Sequence, residues 1–216
     1  MIKKVYVYVE GPSDKDAMRV LLRPLIEQKR QEGININFVY MKGKGNLLAK
    51  GPRRAVNTIF DEPDSIVVVM PDLYPKNTCF AHETFEEMKN GILRDFRSAL
   101  QEKHIRYNDH LMKRFKVFCF KYDLEALILA SKKSLESYLG GRQIRVKWRI
   151  PVEDQNNDNP PKKIVEKLFA SYGKEYDDVK DAPDILSKSD YKDVANKCKQ
   201  CFKPFIDFLI NLPEND

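Results

Sequence analysis

The chain has 216 residues, 42% hydrophobic and 32% charged, with a formal net charge of +6 and a pI near 9.0. That is enough apolar material for one substantial α/β core with an appended subdomain, and it argues against two independent domains. No apolar run approaches bilayer length and the chain opens on a strand rather than a leader, so the cytoplasm is the expected location; the basic balance favours phosphate-rich partners, because neutralised phosphates release counterions.

The first element lies in KKVYVYVEGPSDKDAMRVLL, residues 3–22. Val5, Val7 and Val9 alternate with Tyr6 and Tyr8, the pattern of a strand covered on both faces. Glu10 stands at its carboxyl end. Gly11 and Pro12 turn the chain, Ser13 is read as the N-cap, and Asp14 and Asp16 fall in the first helical turn, where carboxylates complement the helix dipole. Ligands of open parallel sheets bind beyond the carboxyl ends of the strands, which makes Glu10 a site candidate; the alternative is an acidic turn with a cap.

The helix is expected to end near Gly33, and INFVYM at 36–41 to form the second strand. KGKGN at 42–46 and KGPRR at 50–54 together carry three glycines and five basic side chains, Lys44, Arg53 and Arg54 among them. Flexible amides and cations of this kind can cradle phosphates. The spacing GxxxxGK[ST] is absent, and a solvated loop before a helix is the alternative. Pro52 is expected to open that helix, which runs to about Phe60. SIVVVMPDLYP at 65–75 is the most apolar strand, and its four consecutive β-branched residues place it centrally in the sheet. Asp72 follows it as Glu10 follows the first; the alternative is a turn residue beside Pro71.

Phe85, Met88, Ile92, Phe96 and Ala99 keep a helical stripe through roughly 82–102 that should cover the sheet. RFKVFCF at 114–120 is the fourth strand, and it leads into KYDLEALILA, bringing Asp123 and Glu125 to the same edge. Four strands alternating with helices predict right-handed βαβ units and a mainly parallel sheet over 1–135. A mostly helical extension, 136–216, is expected to pack on it as one compact unit. IRVKWRI at 144–150 reads as a half-exposed strand or extended segment, PVEDQNNDNPP as a surface loop, and 162–172 and 188–212 as helices. Val194, Cys198, Cys201 or Phe202, Phe205 and Phe208 stripe the last helix. Cys198 and Cys201 are therefore read as one buried face, and all four cysteines as reduced thiols, since no second CxxC completes a zinc site. His82, His104 and His110 accompany no nucleophile motif.

Glu10, Asp72 and Glu125 form the only arrangement able to carry demanding chemistry, and their hard oxygens suit Mg²⁺ or Mn²⁺. With VYVEGPSDKDA, MPDLYP and YDLEALILA in this α/β order, the sequence resembles the Toprim fold of primases, topoisomerases and overcoming-lysogenisation-defect nucleases. Over its whole length, with PVEDQNNDNPPKKI and Tyr172-Gly173-Lys174, it resembles the family known as domain of unknown function 4276. The resemblance implies an acid-base glutamate at Glu10 and a metal-binding acid at Asp72. The usual Toprim Asp-x-Asp is broken, because Leu73 and Tyr74 follow Asp72; Glu125, with Asp123, would supply the missing ligand. Lys162, Lys163 and Lys174 match positions where the family tends to carry cations. The expected function is metal-dependent, nuclease-like phosphodiester cleavage of nucleic acid. The rival is a degenerate, non-catalytic Toprim module binding nucleic acid or an ATPase partner. Glu10, Asp72 and Glu125 should then converge at the sheet edge, with Lys44, Arg53 or Lys174 at the rim and mutual repulsion raising at least one carboxyl pKa.

Overall fold

The structure is a computed structural model that describes residues 2–74, 79–106, 108–141, 143–155 and 158–212. Pro75, the end of the MPDLYP motif, and Asn156 and Asn157 of the Asn-rich loop lie outside the described residues. Strands β1 (Lys4–Val9), β2 (Asn35–Tyr40), β3 (Ser65–Val69) and β4 (Phe115–Val117) form one sheet of order β2-β1-β3-β4. Every pairing is parallel, as the alternation of strands and helices requires. The chain adds β2 on one side of β1 and then crosses to add β3 on the other, so the topological switch point falls between β1 and β3.

Helices α1 (Pro12–Leu21), α2 (Arg23–Gln31), α3 (Lys44–Asp61) and α4 (Phe85–Glu102) connect or follow these strands, with α5 (Asp109–Lys113) leading into β4. Period-two alternation sorts the strand side chains. Val5, Val7, Val9, Ile66 and Val68 meet the α1 and α2 side, while Tyr8, Val67, Val69, Phe115 and Val117 meet α3 and α4. Phe96 of α4 stacks on Phe115 with ring centroids 4.0 Å apart. At the amino edge the buried Arg114 guanidinium donates to the carbonyls of Ile59, Glu62 and Ser65 at 2.9, 2.7 and 2.8 Å, satisfying groups that burial would otherwise leave unpaired.

The remaining helices are α6 (Glu125–Ala130), α7 (Lys132–Tyr138), α8 (Pro161–Ser171), α9 (Asp178–Leu186), α10 (Tyr191–Lys197) and α11 (Phe202–Ile210), with a 3₁₀ turn at Val152–Asp154. Side chains from Val5 to Leu212 join in the same hydrophobic core. Glu153, 2% exposed, accepts the N–H groups of Gln200, Cys201 and Phe202 at 2.7, 2.9 and 3.3 Å, capping the approach to α11. Among the described residues no helix is long and apolar enough to cross a membrane.

Several local expectations are corrected. Gly11, not Ser13, is the N-cap of α1, and Asp14 accepts the Gly11 N–H at 2.8 Å. The first helix breaks at Leu22 because Pro24 lacks the N–H that would continue it. Pro52 lies inside α3 rather than opening it, and the basic stretch from Lys44 on is helix, not loop. Of the two readings of residues 144–150 the strand fails and the extended segment remains, its side chains alternating in burial as far as Arg149, while Ile150 is 87% exposed instead of turning inward. The expected last helix is α10 and α11 separated by a turn, so Cys198 and Cys201 do not share a helical face. Cys201 instead places its sulfur 3.4 Å from that of Cys119 at the end of the β4 segment, both thiols being free.

Candidate functional site

Glu10 is fixed by an extension of the parallel ladder. Met70 N–H donates to the Tyr8 carbonyl at 2.9 Å, and on the next rung Asp72 N–H donates to a side-chain oxygen, Glu10 Oε1, also at 2.9 Å. The Glu10 carbonyl is free for another partner, Gly43 N–H at 2.8 Å. Gly43 adopts φ +100° and ψ 162°, a conformation open essentially to glycine alone, and α3 starts from it. A single-residue bridge between Asp72 and Phe120 carries the β3 and β4 segments beyond their strands, so that Asp123 and Glu125 follow onto the same edge.

The result is a cleft of about 500 Å³ at the switch point, lined by Glu10, Asp14, Asp72, Asp123, Glu125 and Asp178 together with Lys42 and Lys162. Asp123 Oδ2 accepts the Lys162 N–H at 3.1 Å, and Glu125 accepts the Tyr176 hydroxyl at 2.9 Å. Lys162 Nζ contacts Asp178 at 2.6 Å. Lys44 Nζ donates to the Leu73 carbonyl at 3.0 Å and lies within the electrostatic reach of Glu10 and Asp72. Two carboxylate oxygens, Asp72 Oδ1 and Asp123 Oδ1, are enclosed and have no hydrogen-bond donor among the described residues. Glu125 faces Asp123 closely enough for a shared proton, but that helps only when one of the two is protonated.

Burial is the main electrostatic fact here, because it disfavours the charged form of every acid. It pushes Glu10 up to about 7, with the Asp14 charge adding to it. Burial raises Asp14 and Asp123 to about 6 and Glu125 to about 8, the last reinforced by the Asp123 charge. Asp72 is held well above the usual carboxylate range by burial first, then by Glu10, Asp14, Asp123 and Glu125. Repulsion, the cause expected from sequence, is second to desolvation.

All four acids singled out from sequence, and Lys44, reach this edge. Lys44 stands behind the lining, on the Leu73 carbonyl, and none of the other proposed contacts lines the cleft. Arg53 pairs with Glu102 at 2.7 Å, Arg54 lies over the Tyr8 ring, Lys163 donates to the Asp158 carbonyl, and Lys174 lies over the Tyr138 ring. The helical course of α3 and the packing of α8 turn these side chains elsewhere. Sequence reasoning gave Asp14 only a helix-dipole role and had no signal for Tyr176 or Asp178, which arrive through the packing of α9 on α1. Among the described residues no three His, Cys, Asp or Glu side chains are gathered tightly enough to hold an ion as they stand.

The model of the family described as a domain of unknown function (DUF4276) matches residues 9–210. The chain belongs to that family. The match runs from the last residue of β1 to the last of α11, so every cleft residue of this DUF4276 member falls inside it. Among solved structures, the C-terminal region of the Burkholderia pseudomallei OLD protein is similar, with 12% sequence identity, a TM-score of 0.49 and 98% of each chain covered. No curated protein matches this DUF4276 chain.

Proposed function

We propose that the chain is a phosphodiester-cleaving protein that acts on nucleic acid with Mg²⁺ or Mn²⁺. The observation carrying this reading is the enclosed Asp72 Oδ1, which has no hydrogen-bond donor among the described residues and lies with Asp123 and Glu125 at the switch point of the sheet. Leaving a buried polar atom unpaired costs roughly 1–3 kcal/mol, more when it is charged, and a cation removes that cost. A donor set made only of carboxylates fits a hard divalent ion. Glu10, Asp72, Asp123 and Glu125 are the residues that would hold it, and the Toprim resemblance supports the same assignment. Such an ion, when bound, would stabilise the charge on the attacking and leaving oxygens of a phosphodiester.

The chain's own groups supply the rest. Glu10 is oriented by the Asp72 N–H through one oxygen and would take the proton of the attacking water on the other. Lys44 from α3 and Lys162 from α8 bring positive charge from the two faces of the sheet to bind the phosphate. Tyr176 holds Glu125 in place through its hydroxyl. Incubation of the protein with plasmid and single-stranded DNA and Mg²⁺ or Mn²⁺ should give cleavage, and Glu10→Gln should slow it by about 10²–10⁴-fold. Cleavage at the native rate by Glu10→Gln removes Glu10 from the mechanism.

One observation favours the non-catalytic reading, a module that binds nucleic acid or an ATPase partner. Tyr74 stands where Asp-x-Asp would place its second acid, and it is engaged elsewhere, stacked on Tyr122 at 5.2 Å with its hydroxyl on the Glu83 carbonyl. Calorimetric titration with Mn²⁺ separates the two. Under the enzymatic reading Asp72→Asn abolishes a binding heat that the native protein gives; under the other there is no heat to abolish.

A further inference from the structure

A second concavity, of about 400 Å³, lies beside the extended segment at 144–150. Its lining includes Lys147, Trp148, Arg149, Gln155, Asn159 and Lys167, and among the described residues no carboxylate lines it. That separates it chemically from the acidic cleft. Lys147 and Arg149 are exposed and form no ion pair among the described residues, while Lys167 donates to the Asn159 side-chain oxygen at 2.7 Å. Trp148 packs part of its indole on the core and presents the rest to the groove, with Lys132 Nζ 5.9 Å from its ring centre.

The floor is rigid for an irregular segment. The Gln155 side chain accepts the Arg149 N–H at 3.2 Å and donates to the carbonyls of Arg149 and Val152, both at 3.0 Å. Tyr122 donates to the Gln155 backbone carbonyl in turn. Exposed cations, a partly buried aromatic and side-chain amides on a hydrogen-bonded segment make a surface able to meet phosphate and base together. The first two turns of α8 supply Lys162 to the acidic cleft from one face and Ile164 and Lys167 to the groove from another.

We propose that this groove binds a single strand of DNA, its phosphates on Lys147, Arg149 and Lys167 and one base stacked against Trp148. The inference rests on the nucleic-acid reading above and names its substrate as unpaired. Stacking on an indole requires a base already out of its duplex, whereas phosphate contacts alone would not discriminate. Of the two single strands DNA is the committed occupant, the one on which the cleavage reading above is tested, and RNA is an outcome of the test.

Trp148 is the chain's sole tryptophan, which makes its fluorescence a readout of this groove alone. Titration of the full chain in EDTA with an oligothymidylate of roughly 10 nucleotides should quench that emission, and duplex of the same length should not. Trp148→Ala should weaken binding, followed by anisotropy of a labelled oligonucleotide, by about 5- to 100-fold. Lys147→Gln and Arg149→Gln, both on the surface and harmless to the core, should each lower the slope of log affinity against log salt by about 0.7. Oligonucleotide binding with unchanged emission and unchanged slopes overturns the groove while leaving the cleavage reading intact. Quenching without any Mg²⁺-dependent cleavage supports the groove and overturns the cleavage reading. Tighter binding of the matching RNA overturns the assignment to DNA, and failure to bind either strand overturns the groove, while the metal-dependent cleavage assay above decides the cleavage reading by itself.

Discussion

Glu125 is only 3% exposed, and burial, with the Asp123 charge second, holds its carboxyl proton up to about 8. An acid that binds its proton more tightly when folded releases it on unfolding. Its contribution to stability is therefore fully present below the unfolded value of 4.5, is lost as pH rises through 8, and is level beyond. Glu10, at about 7, works in the same direction over a narrower window. Metal-free protein should lose on the order of 1–3 kcal/mol per such group across this range. Glu125→Gln deletes the ionisation yet keeps an acceptor for Tyr176. It should melt with the native protein at pH 5 and well above it at pH 8; parallel melting profiles across pH would show that Glu125 has an ordinary affinity. Mn²⁺ should flatten the native profile. These acids were legible in the sequence because each follows an apolar strand, and strand ends of a parallel sheet share one edge. Tyr176 and Asp178 were not, because no period or motif announces a residue delivered by helix packing.

The elements show where sequence patterns lose their hold. The strands were readable to within a few residues, since β-branched runs this apolar have no other stable place. The basic stretch was misread as a loop because two glycines and a proline outweighed the helical stripe of Leu47, Leu48, Ala55, Val56 and Ile59, all of which are buried. Only Gly43 is a true punctuation mark. Gly43→Ala should cost about 1–3 kcal/mol, seen as a lower urea midpoint with an unchanged m-value, because an added methyl is strained at φ +100° wherever it points. Equal midpoints would mean that the turn relaxes freely. The division of the last helix was hidden for a different reason: its apolar stripe of Val194, Cys198, Phe202 and Phe205 continues in register across a break that Glu153 caps from a distant turn. Glu153→Gln places an amide NH₂ against a backbone N–H and should destabilise by about 1–3 kcal/mol in the same assay. Native-like stability of that variant would mean that water satisfies those donors.

On the scale of the whole molecule, one apolar core joins β1, at Val5, to Leu212 beyond α11. Burying a large apolar side chain stabilises by about 1.5–3 kcal/mol, so the contacts linking 1–135 to 136–216 outweigh any local preference of either part. Unfolding should be a single transition, with calorimetric and van't Hoff enthalpies equal; two resolved transitions would divide the chain into separate domains. The cleft inherits this long-range construction. Glu10 leaves the ribosome early, whereas Tyr176 and Asp178 follow only after most of the chain has been made, an interval of roughly ten to thirty seconds at ordinary translation rates. Throughout that interval Glu125 lacks the Tyr176 hydroxyl and Asp14 lacks the Asp178 charge, so a nascent chain does not yet have the electrostatics of the finished cleft. The site comes into being late, with the docking of α9 on α1, and a ribosome stalled before that helix would display a sheet edge without its chemistry.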